Sequence, residues 1–437
     1  MCHNYAKHFF LILLCVAIGY KSFSQTSTTS NPTSNRENAP YSRYGIGEDV
    51  NGSNTVLRGM GNVSTAYSDP YSVNSDNPAS YAGLKLTTYE AAGTGSVRGI
   101  DAGGNNYRTG MATFSYLTVG IPMGKNFGMA LGFRPQSRVY YRINDSLTVP
   151  GMGPSIYNYS GEGGLNYAYL GFAGQYKGFS LGFNIGYMFG TTRNSTVFQA
   201  NTTDSGAYAN SYNTEYSRYD KIGGIYWKAG ALYETSLSKK TFLRLGATIS
   251  ISQKLNNYKD DYLIAYHYSA DSIYQDTITA NAAVKGNVTL PLSFSVGAHL
   301  AGIDKWDIGV DFTSTQWTQF RNFGNPDSSL VNNFKVNIGG EYTPNSSSRN
   351  SYLQRITYRL GFVYGLDYVK LNNTDINYYA VSLGASLPFK RSTDRIHTAL
   401  EFGTRGTTSN GLVKENFVRF TLGVSLNDRW FVKRKYD

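Results

Sequence analysis

Large apolar residues alternate with small or polar residues along much of the chain from about residue 85 onward. Between Phe179 and Gly190, every second residue from Phe179 to Phe189 is large and apolar, and the intervening residues are Ser, Gly, Asn or Met. The stretches 288–300 and 379–389 repeat this pattern. A period of two places the two sets on opposite faces of a β-strand. The pattern therefore predicts an all-β chain whose strands each have one strongly apolar face.

Segments of this kind recur about fourteen times, and their connections alternate between short turns and longer polar linkers. The expected strand centres lie near residues 91, 113, 133, 168, 185, 227, 247, 292, 311, 338, 362, 382, 401 and 423. The expected long linkers are 144–160, 199–215, 255–280 and 321–331. An even number of strands with alternating loop lengths is typical of an antiparallel outer-membrane β-barrel with both termini in the periplasm.

Alternation alone also fits a soluble β-sandwich, so composition has to separate the two classes. Aromatic residues make up 15% of the chain, charged residues make up 16%, and there are 47 glycines. The second face of each strand is small and polar, with few of the Lys and Glu residues that usually cover a solvent-facing sheet. A transmembrane barrel is therefore favoured over a secreted soluble β protein.

The formal net charge of +11 is spread along the chain. No basic block with interleaved aromatic residues is present, so we expect no nucleic-acid partner.

The N-terminus has the features of a secretory signal peptide over residues 1–24. Lys7 and His8 precede the apolar run 9–19, which is shorter than the roughly 20 residues of a membrane helix, and small residues follow it. Both cysteines, Cys2 and Cys15, lie inside this segment, so the exported chain is expected to contain no disulfide and no cysteine metal site. Residues 25–40 are rich in Ser, Thr and Asn, which predicts a flexible tail.

The segment between this tail and the first strand has an unusual composition that carries a family resemblance. It contains PYSRYGIG at 40–47, RGMGNVSTAYSD at 58–69 and DNPASYAGL at 76–84. These motifs resemble the N-terminal region of the FadL-like outer-membrane proteins, a superfamily that includes long-chain fatty acid transporters and the PorV-type barrels of Bacteroidetes. The tripeptide Asn77-Pro78-Ala79 is its most specific mark. The resemblance implies a barrel over 85–437 and a hatch over 41–84 folded inside its lumen.

The resemblance also implies two competing functions. Transporter members pass hydrophobic molecules through the hatch and sideways through a gap beside the third strand, whereas PorV-type members serve a protein secretion system. On the transporter interpretation, the expected hatch or gate residues are Arg58, Gly59, Gly61, Asn77, Pro78 and Ala79.

The third strand, FGMALGFRPQSRVYYRI at 127–143, contains a proline and three arginines. Pro135 has no N–H for the ladder, so it predicts a kink or a lateral gap, with a bulge or a strand end as the alternative. Strict alternation would place Arg134, Arg138 and Arg142 in one inward column. Guanidinium groups bind carboxylates in a bidentate manner, so these arginines are candidates for a basic patch that attracts carboxylate head groups. The alternative is that charges on the inner face pair with one another and stiffen the barrel.

The sequence offers little support for an enzyme, a cofactor or a metal site. The histidines beyond the signal peptide are His267, His299 and His397, and none stands in a recognisable Ser/His/Asp pattern. The cluster GTGSVRG at 93–99 lacks the strand–helix setting of a phosphate loop. The aspartates of linker 255–280 form either a weak calcium site or a solvated loop.

The sequence therefore predicts an outer-membrane barrel that lets fatty-acid-like molecules diffuse passively through a hatch-gated lumen with a lateral exit. Its expected partners are outer-membrane lipid and a hydrophobic small molecule. The alternatives are a PorV-like barrel with a protein partner, acting in type IX secretion or outer-membrane assembly, and a closed structural barrel.

Overall fold

The computed structural model describes residues 36–50, 52–149, 153–200, 213–269, 272–303, 305–390 and 392–430. The expected signal peptide, with both cysteines, and residues 25–35 of the expected tail lie outside the described residues. No helix in the described ranges is long and apolar enough to cross a membrane.

The described chain forms one closed antiparallel barrel of fourteen strands. The strands are β1 (Thr87–Ala102), β2 (Asn105–Pro122), β3 (Phe127–Pro135 and Ser137–Val149), β4 (Gly153–Tyr176), β5 (Phe179–Ala200), β6 (Asn213–Ser238), β7 (Thr241–Ser250 and Gln253–Ser269), β8 (Ser272–Leu290 and Ser293–Gly302), β9 (Trp306–Thr315), β10 (Asn333–Tyr342), β11 (Thr357–Leu371), β12 (Thr374–Pro388), β13 (Arg395–Gly406) and β14 (Lys414–Asp428). The barrel closes where β1 pairs with β14, from Thr87 opposite Asp428 to Asp101 opposite Lys414.

The alternating pattern produces an apolar outer face and a polar inner face, as the sequence predicts. On β5, Leu181 and Ile185 are exposed, whereas their neighbours Ser180 and Asn184 are almost fully buried. Burial alternates in the same way along β12 and β14. In a closed barrel such an outer belt faces lipid, because no edge or polar band interrupts it. The protein is therefore an outer-membrane β-barrel.

Two of the four expected linkers are wrong. Residues 144–149 and 153–160 continue β3 and β4, and most of 255–280 belongs to the long strands β7 and β8. These hairpins extend past the apolar belt into water, so their sequence lacks the apolar alternation although their backbones remain paired. Part of the expected linker 199–215 lies outside the described residues, and 321–331 holds two short strands, Arg321–Asn322 and Asn325–Pro326.

Alternation fails where a strand is interrupted. The sequence predicts Val288 and Leu290 on the same face as Val296, but both are buried inside the barrel while Val296 is exposed. The chain leaves the ladder at Pro291 and Leu292 and re-enters it at Ser293. Because proline has no N–H to donate, the ladder breaks there and the two faces exchange.

The remaining elements are short. Residues 36–84 contain the 3₁₀ helices Pro40–Arg43 and Pro78–Gly83, the two-residue strand Glu48–Asp49 and the α-helix Thr55–Arg58. Further 3₁₀ helices are Trp317–Gln319, Leu353–Arg355 and Ser409–Gly411.

Candidate functional site

Residues 52–84 contact inward-facing positions on strands all around the barrel. The helix Thr55–Arg58 begins at Asn54, whose side-chain oxygen accepts a hydrogen bond from the Leu57 N–H at 3.0 Å. Arg58 is buried; its Nε donates to the Ser53 carbonyl at 2.9 Å and its Nη1 to Thr94 Oγ1 at 3.0 Å. The guanidinium therefore ties this helix to the wall at β1.

Glycines on the wall allow the backbone of residues 52–84 to approach it closely. A Cβ added at any of these glycines would collide with segment backbone: Gly128 with Tyr81, Gly182 with Pro78, Gly246 with Thr65, Gly339 with Met60, Gly361 with Gly61 and Gly384 with Gly59. Of the predicted gate residues, Gly59 and Gly61 thus lie against β11 and β12. The Gly61 N–H also donates to Ser382 Oγ at 2.7 Å.

Asn77 joins two parts of the segment to the wall. Its Oδ1 accepts the Ala79 N–H at 3.0 Å and so begins the helix Pro78–Gly83. Its Nδ2 donates to the carbonyls of Thr65 at 2.5 Å and Ala231 at 3.1 Å. The predicted gate residues Asn77, Pro78 and Ala79 are all buried, and the amide of Asn77 bonds backbone groups of both the segment and the wall.

The three arginines of β3 do not form one inward column. Arg134 is buried and its Nη1 lies 2.9 Å from Asp76 Oδ1, whereas Arg142 is exposed. Arg138 donates to Met111 Sδ at 3.5 Å and to Thr113 Oγ1 at 3.1 Å. The expected column is wrong because alternation stops at Pro135 and Gln136: β3 pairs with β4 in one register up to Pro135 and in a register shifted by one residue from Val139 onward.

The ion pair with Arg134 keeps the carboxylate of Asp76 ionised. Burial alone would raise the pKa of Asp76, but the Arg134 guanidinium lowers it to about 2, helped by a hydrogen bond from Ser53 Oγ. Asp76 is therefore ionised at every ordinary pH.

Pro135 marks the place where the wall between β2 and β3 opens. The two strands pair from Pro122 opposite Gly128 to Leu117 opposite Phe133. In the described part of the chain, no ladder joins the rest of β2 to Ser137–Val149, although β3 stays paired with β4 along its other side. The wall is thus paired on one side of β3 and unpaired on the other.

Residues 36–50 occupy the unpaired edge of β3. Glu48 and Asp49 form a short antiparallel ladder opposite Arg138 and Ser137. Above it, the Ala39 N–H donates to the Tyr140 carbonyl at 2.9 Å. On the other side of the opening, the Asn38 N–H donates to Thr109 Oγ1 of β2 at 3.0 Å. This part of the chain therefore bridges the two strands that do not pair with each other.

A buried cluster of charged residues inside the barrel contacts residues 36–50. Arg98 of β1 contacts Glu37 at 2.8 Å, Glu48 at 2.9 Å and Glu415 of β14. Burial alone would raise the pKa of Glu48, but Arg98, Arg419 and Arg405 hold it well below its usual range. Arg98, Glu37 and Glu48 are not among the residues that the sequence pattern predicts for the site. Alternation along β1 could have identified Arg98, because it places Thr94, Ser96 and Arg98 on the polar face.

The charges of the expected inner face do pair, as one interpretation of the sequence predicts. The pairs are Arg244 with Asp307 at 3.3 Å, Arg359 with Glu341 at 2.8 Å, Arg405 with Asp367 at 2.7 Å and Arg419 with Glu401 at 3.0 Å. Asp311 instead accepts the backbone N–H groups of Ser64 and Thr65 at 2.6 and 2.8 Å. These pairs lie on β7, β9, β10, β11, β13 and β14.

The half of the lumen away from the short turns also contains a large apolar cluster. Trp317, Phe320 and Leu330, from the connection between β9 and β10, are buried in a cluster with inward residues of β4 to β8, β11 and β12. Tyr41 belongs to this cluster, and Tyr44 and Ile46 pack against it. Trp317 stacks on Tyr368 with ring centroids 4.4 Å apart. The segment at the opening therefore packs directly against an apolar interior.

Between this cluster and residues 52–84 lies a polar cavity of about 310 Å³. Its lining includes Glu48, Asp49, Asp76, Arg134 and Lys228. Charged groups in a small cavity favour water over a hydrocarbon chain.

The histidines do not form a recognisable catalytic arrangement in the described chain. His299 Nδ1 lies 2.7 Å from Asp307 Oδ1, and the His397 ring lies between Ser386 Oγ at 2.5 Å and Ser425 Oγ at 2.9 Å. His267 is part of β7 and not of a linker. Among the described residues, no group of three or more His, Cys, Asp or Glu side chains could hold a metal ion.

Solved structures with the same fold include three outer-membrane proteins at low sequence identity. The toluene transporter TodX of Pseudomonas putida matches with a TM-score of 0.60 and 16% identity, covering 88% of this chain and 100% of TodX. The toluene transporter TbuX of Ralstonia pickettii matches with a TM-score of 0.55 and 14% identity, covering 87% and 99%. A FadL homologue of Pseudomonas aeruginosa matches with a TM-score of 0.52 and 12% identity, covering 86% and 98%. These matches confirm the FadL-like fold.

Sequence comparison gives the family. No match was found among curated proteins. The model of the BamG family matches residues 6–437, which is nearly the whole chain. The chain therefore belongs to the BamG family.

Proposed function

We propose that the protein lets small hydrophobic molecules, such as fatty acids, diffuse passively across the outer membrane and leave the barrel sideways between β2 and β3. The observation that carries this proposal is the opening beyond Leu117 and Phe133, which residues 36–50 fill in place of a strand. Residues 41–84 act as the hatch in this proposal, and Pro135 marks the lateral gap.

The interior beside the opening has the chemistry that such a route needs. Tyr41 and Ile46 of the segment pack against the apolar cluster that contains Leu165, Tyr167 and Trp317. If residues 36–50 moved, this cluster would face the membrane through the gap. An apolar molecule could then pass between two apolar environments with little desolvation cost.

Residues 36–50 could move out of the opening without leaving an unpaired charge on the barrel wall. Each of the three arginines in the buried cluster of charged residues also has a carboxylate on the wall: Arg98 has Glu415, Arg405 has Asp367 and Arg419 has Glu401. Glu37 and Glu48 of the segment are additional to these three pairs. Unpaired buried charges are costly, so a wall that remains paired lowers the barrier to moving the segment.

The polar cavity supports a sideways route over a straight one. A hydrophobic molecule that continued toward the short turns would meet Asp76, Arg134 and Lys228, which line that cavity. The described structural relatives include proteins named as toluene transporters, which agrees with an apolar cargo although the likeness itself is one of fold.

A disulfide across the opening tests the proposal. Asp49 lies directly opposite Ser137, and the Val50 N–H donates to the Gln136 carbonyl at 3.0 Å, so Asp49 and Ser137 form a non-hydrogen-bonded pair. Such pairs have Cα atoms about 4.5 Å apart, within the range that a disulfide spans. In the variant Asp49→Cys/Ser137→Cys, reconstituted in liposomes, oxidation should stop the uptake of a fluorescent fatty acid and a reductant should restore it. Equal uptake in both redox states would contradict the proposal.

The matched control carries only one of the two cysteines, so no disulfide can form across the opening. Asp49→Cys alone, treated with the same oxidant and reductant, should show unchanged uptake.

A second candidate function is a closed barrel that serves as a protein partner in type IX secretion or outer-membrane assembly. The observation that favours it is the contact of residues 52–84 with wall glycines on six strands. In this proposal that contact closes a straight route through the barrel. If no apolar probe enters liposomes in the reduced state and affinity capture from native membranes recovers a secretion or assembly component, this function replaces the first.

A further inference from the structure

The short-turn end of the barrel carries an excess of exposed positive charge. By the rule for outer-membrane barrels, this end faces the periplasm. The exposed basic residues described there are Lys85, Lys125, Lys177, Lys239, Lys240, Lys305, Arg349, Lys390 and Arg429. Among the described residues of this end, Asp428 is the exposed acidic side chain. The periplasmic mouth is therefore strongly basic.

This end also contains a vestibule of about 1110 Å³, which is larger than the polar cavity beside Asp76 and Arg134. Its floor is the N-terminal segment from Tyr67 to Lys85, and its sides are the ends of the strands. Six basic residues line it. Arg244 is paired with Glu234 and Asp307. The other five come from the segment, the β2–β3 and β8–β9 turns, the β10–β11 connection and the start of β13: Lys85, Lys125, Lys305, Arg355 and Arg395. The positive charge thus surrounds a concave space.

The four carboxylates of the vestibule are already engaged by other groups. Glu234 contacts Arg244 at 2.5 Å, and Asp307 contacts His299. Glu341 contacts Arg359, and Asp69 accepts the Tyr71 N–H at 2.7 Å.

None of the five basic residues forms an ion pair within the described chain. Arg355 Nε is buried with no hydrogen-bond partner among the described residues, and its guanidinium lies over the Tyr352 ring. A buried donor without a partner is costly, so an acceptor from outside would relieve it. The vestibule therefore presents unmatched positive charge to a ligand.

We propose that this vestibule is the docking site for an acidic, extended segment of a periplasmic protein. The five charges are spread around the mouth, so they match carboxylates spaced along a polypeptide better than one compact anion. Lysine ammonium groups act as point charges on flexible stems, which suits such a chain. Bilayer phospholipid reaches the outer face of the barrel, whereas this cavity lies inside the ring of strands. The proposal does not depend on passage of hydrophobic molecules.

Fluorescence anisotropy with a labelled deca-glutamate peptide tests the proposal on the full chain in nanodiscs of neutral lipid. The peptide should bind at low salt and weaken as salt rises, and a deca-glutamine peptide should not bind. The vestibule variant Lys85→Gln/Lys305→Gln/Arg395→Gln should bind the peptide about tenfold more weakly, since three partly exposed charge pairs are lost.

The matched control removes the same charge from turns outside the vestibule. Lys177, Lys239 and Lys240 lie at the same end of the barrel but do not line the cavity. The variant Lys177→Gln/Lys239→Gln/Lys240→Gln should keep affinity within about threefold, the size of a general electrostatic effect. Both variants should retain the heat-dependent gel shift of a folded barrel.

Three results would overturn the proposal. The first is no binding of deca-glutamate to the unmodified protein at low salt. The second is an equal loss in the vestibule and control variants, which would indicate diffuse attraction by the whole mouth. The third is retention on phosphatidylglycerol vesicles that only the vestibule variant loses, without peptide binding, which would assign the site to lipid head groups.

Discussion

The N-terminal segment consists of two parts that contact the barrel in different ways. Residues 52–84 lie against glycines on six strands, and wall groups such as Arg134 and Asp311 take their partners from this part. Residues 36–50 lie at one opening in the wall, and the arginines behind them keep wall carboxylates of their own. Moving residues 52–84 away would leave buried wall charges without partners, whereas moving residues 36–50 away would not. We therefore propose that residues 52–84 are a fixed plug and residues 36–50 a movable closure.

The largest expected effect comes from removing the wall partner of the fixed part. Arg134→Gln leaves Asp76 buried without its guanidinium, which should lower the free energy of unfolding by about 3–5 kcal/mol. Urea unfolding in lipid vesicles measures this loss. The double variant Arg134→Met/Asp76→Leu should recover most of it, because no charge is then left unpaired. If Arg134→Gln lowered the free energy of unfolding by less than about 1 kcal/mol, which is typical of an exposed ion pair, the assignment of residues 52–84 as a fixed plug would be contradicted.

The same pair predicts a pH dependence of stability. Because the folded pKa of Asp76 is lowered to about 2, its contribution is fully present above the unfolded pKa of about 4 and is lost as pH falls toward 2. The loss should amount to about 2 kcal/mol. Unfolding free energies of the parent and of Asp76→Asn, measured across pH 2–5, should converge at the acid end. Parallel curves would show that Asp76 contributes nothing through its charge.

A larger side chain on the barrel wall should displace residues 52–84. In Gly361→Val, the new side chain overlaps the backbone of Met60 and Gly61, which should cost about 1–3 kcal/mol and make residues 52–84 accessible to protease. Gly95→Val is the matched control, because a Cβ at Gly95 meets no atom within 4 Å. Equal protease resistance in the two variants would contradict the close approach.

A smaller change should act on the movable part alone. Glu37→Gln removes one of the three carboxylates around Arg98 and should cost about 1 kcal/mol or less, because Glu48 and Glu415 remain. It should nevertheless raise fatty-acid uptake in liposomes. Glu162→Gln, which removes an exposed partner of Arg36, is the control and should change neither quantity. Lower uptake in Glu37→Gln would argue against release of residues 36–50.

The strand positions could be predicted because the membrane imposes a strict period of two. Thirteen of the fourteen expected centres fall within the observed strands, and residue 292 falls at the break in β8. The extent of the outer hairpins could not be predicted, since strands in water need no apolar face. Pro135 indicated a break, but alternation across it misplaced Arg142, because a one-residue register shift exchanges the faces.

The candidate site was only partly visible in the sequence. Small residues and the Asn77-Pro78-Ala79 tripeptide indicated a segment that packs closely, and the wall glycines explain why. The cluster of Arg98 with Glu37, Glu48 and Glu415 joins residues up to 378 positions apart in the chain, which no local pattern reveals. The unmatched charge of the vestibule likewise depends on which carboxylates are already paired.

Amide hydrogen exchange of the full chain in nanodiscs tests the central claim most directly. Peptides from residues 36–50 should exchange at least about tenfold faster than peptides from 55–83, because the first part can leave the wall and the second cannot. The disulfide of Asp49→Cys/Ser137→Cys should abolish this difference. Equal or slower exchange of residues 36–50 in the unmodified protein would contradict a movable closure beside a fixed plug.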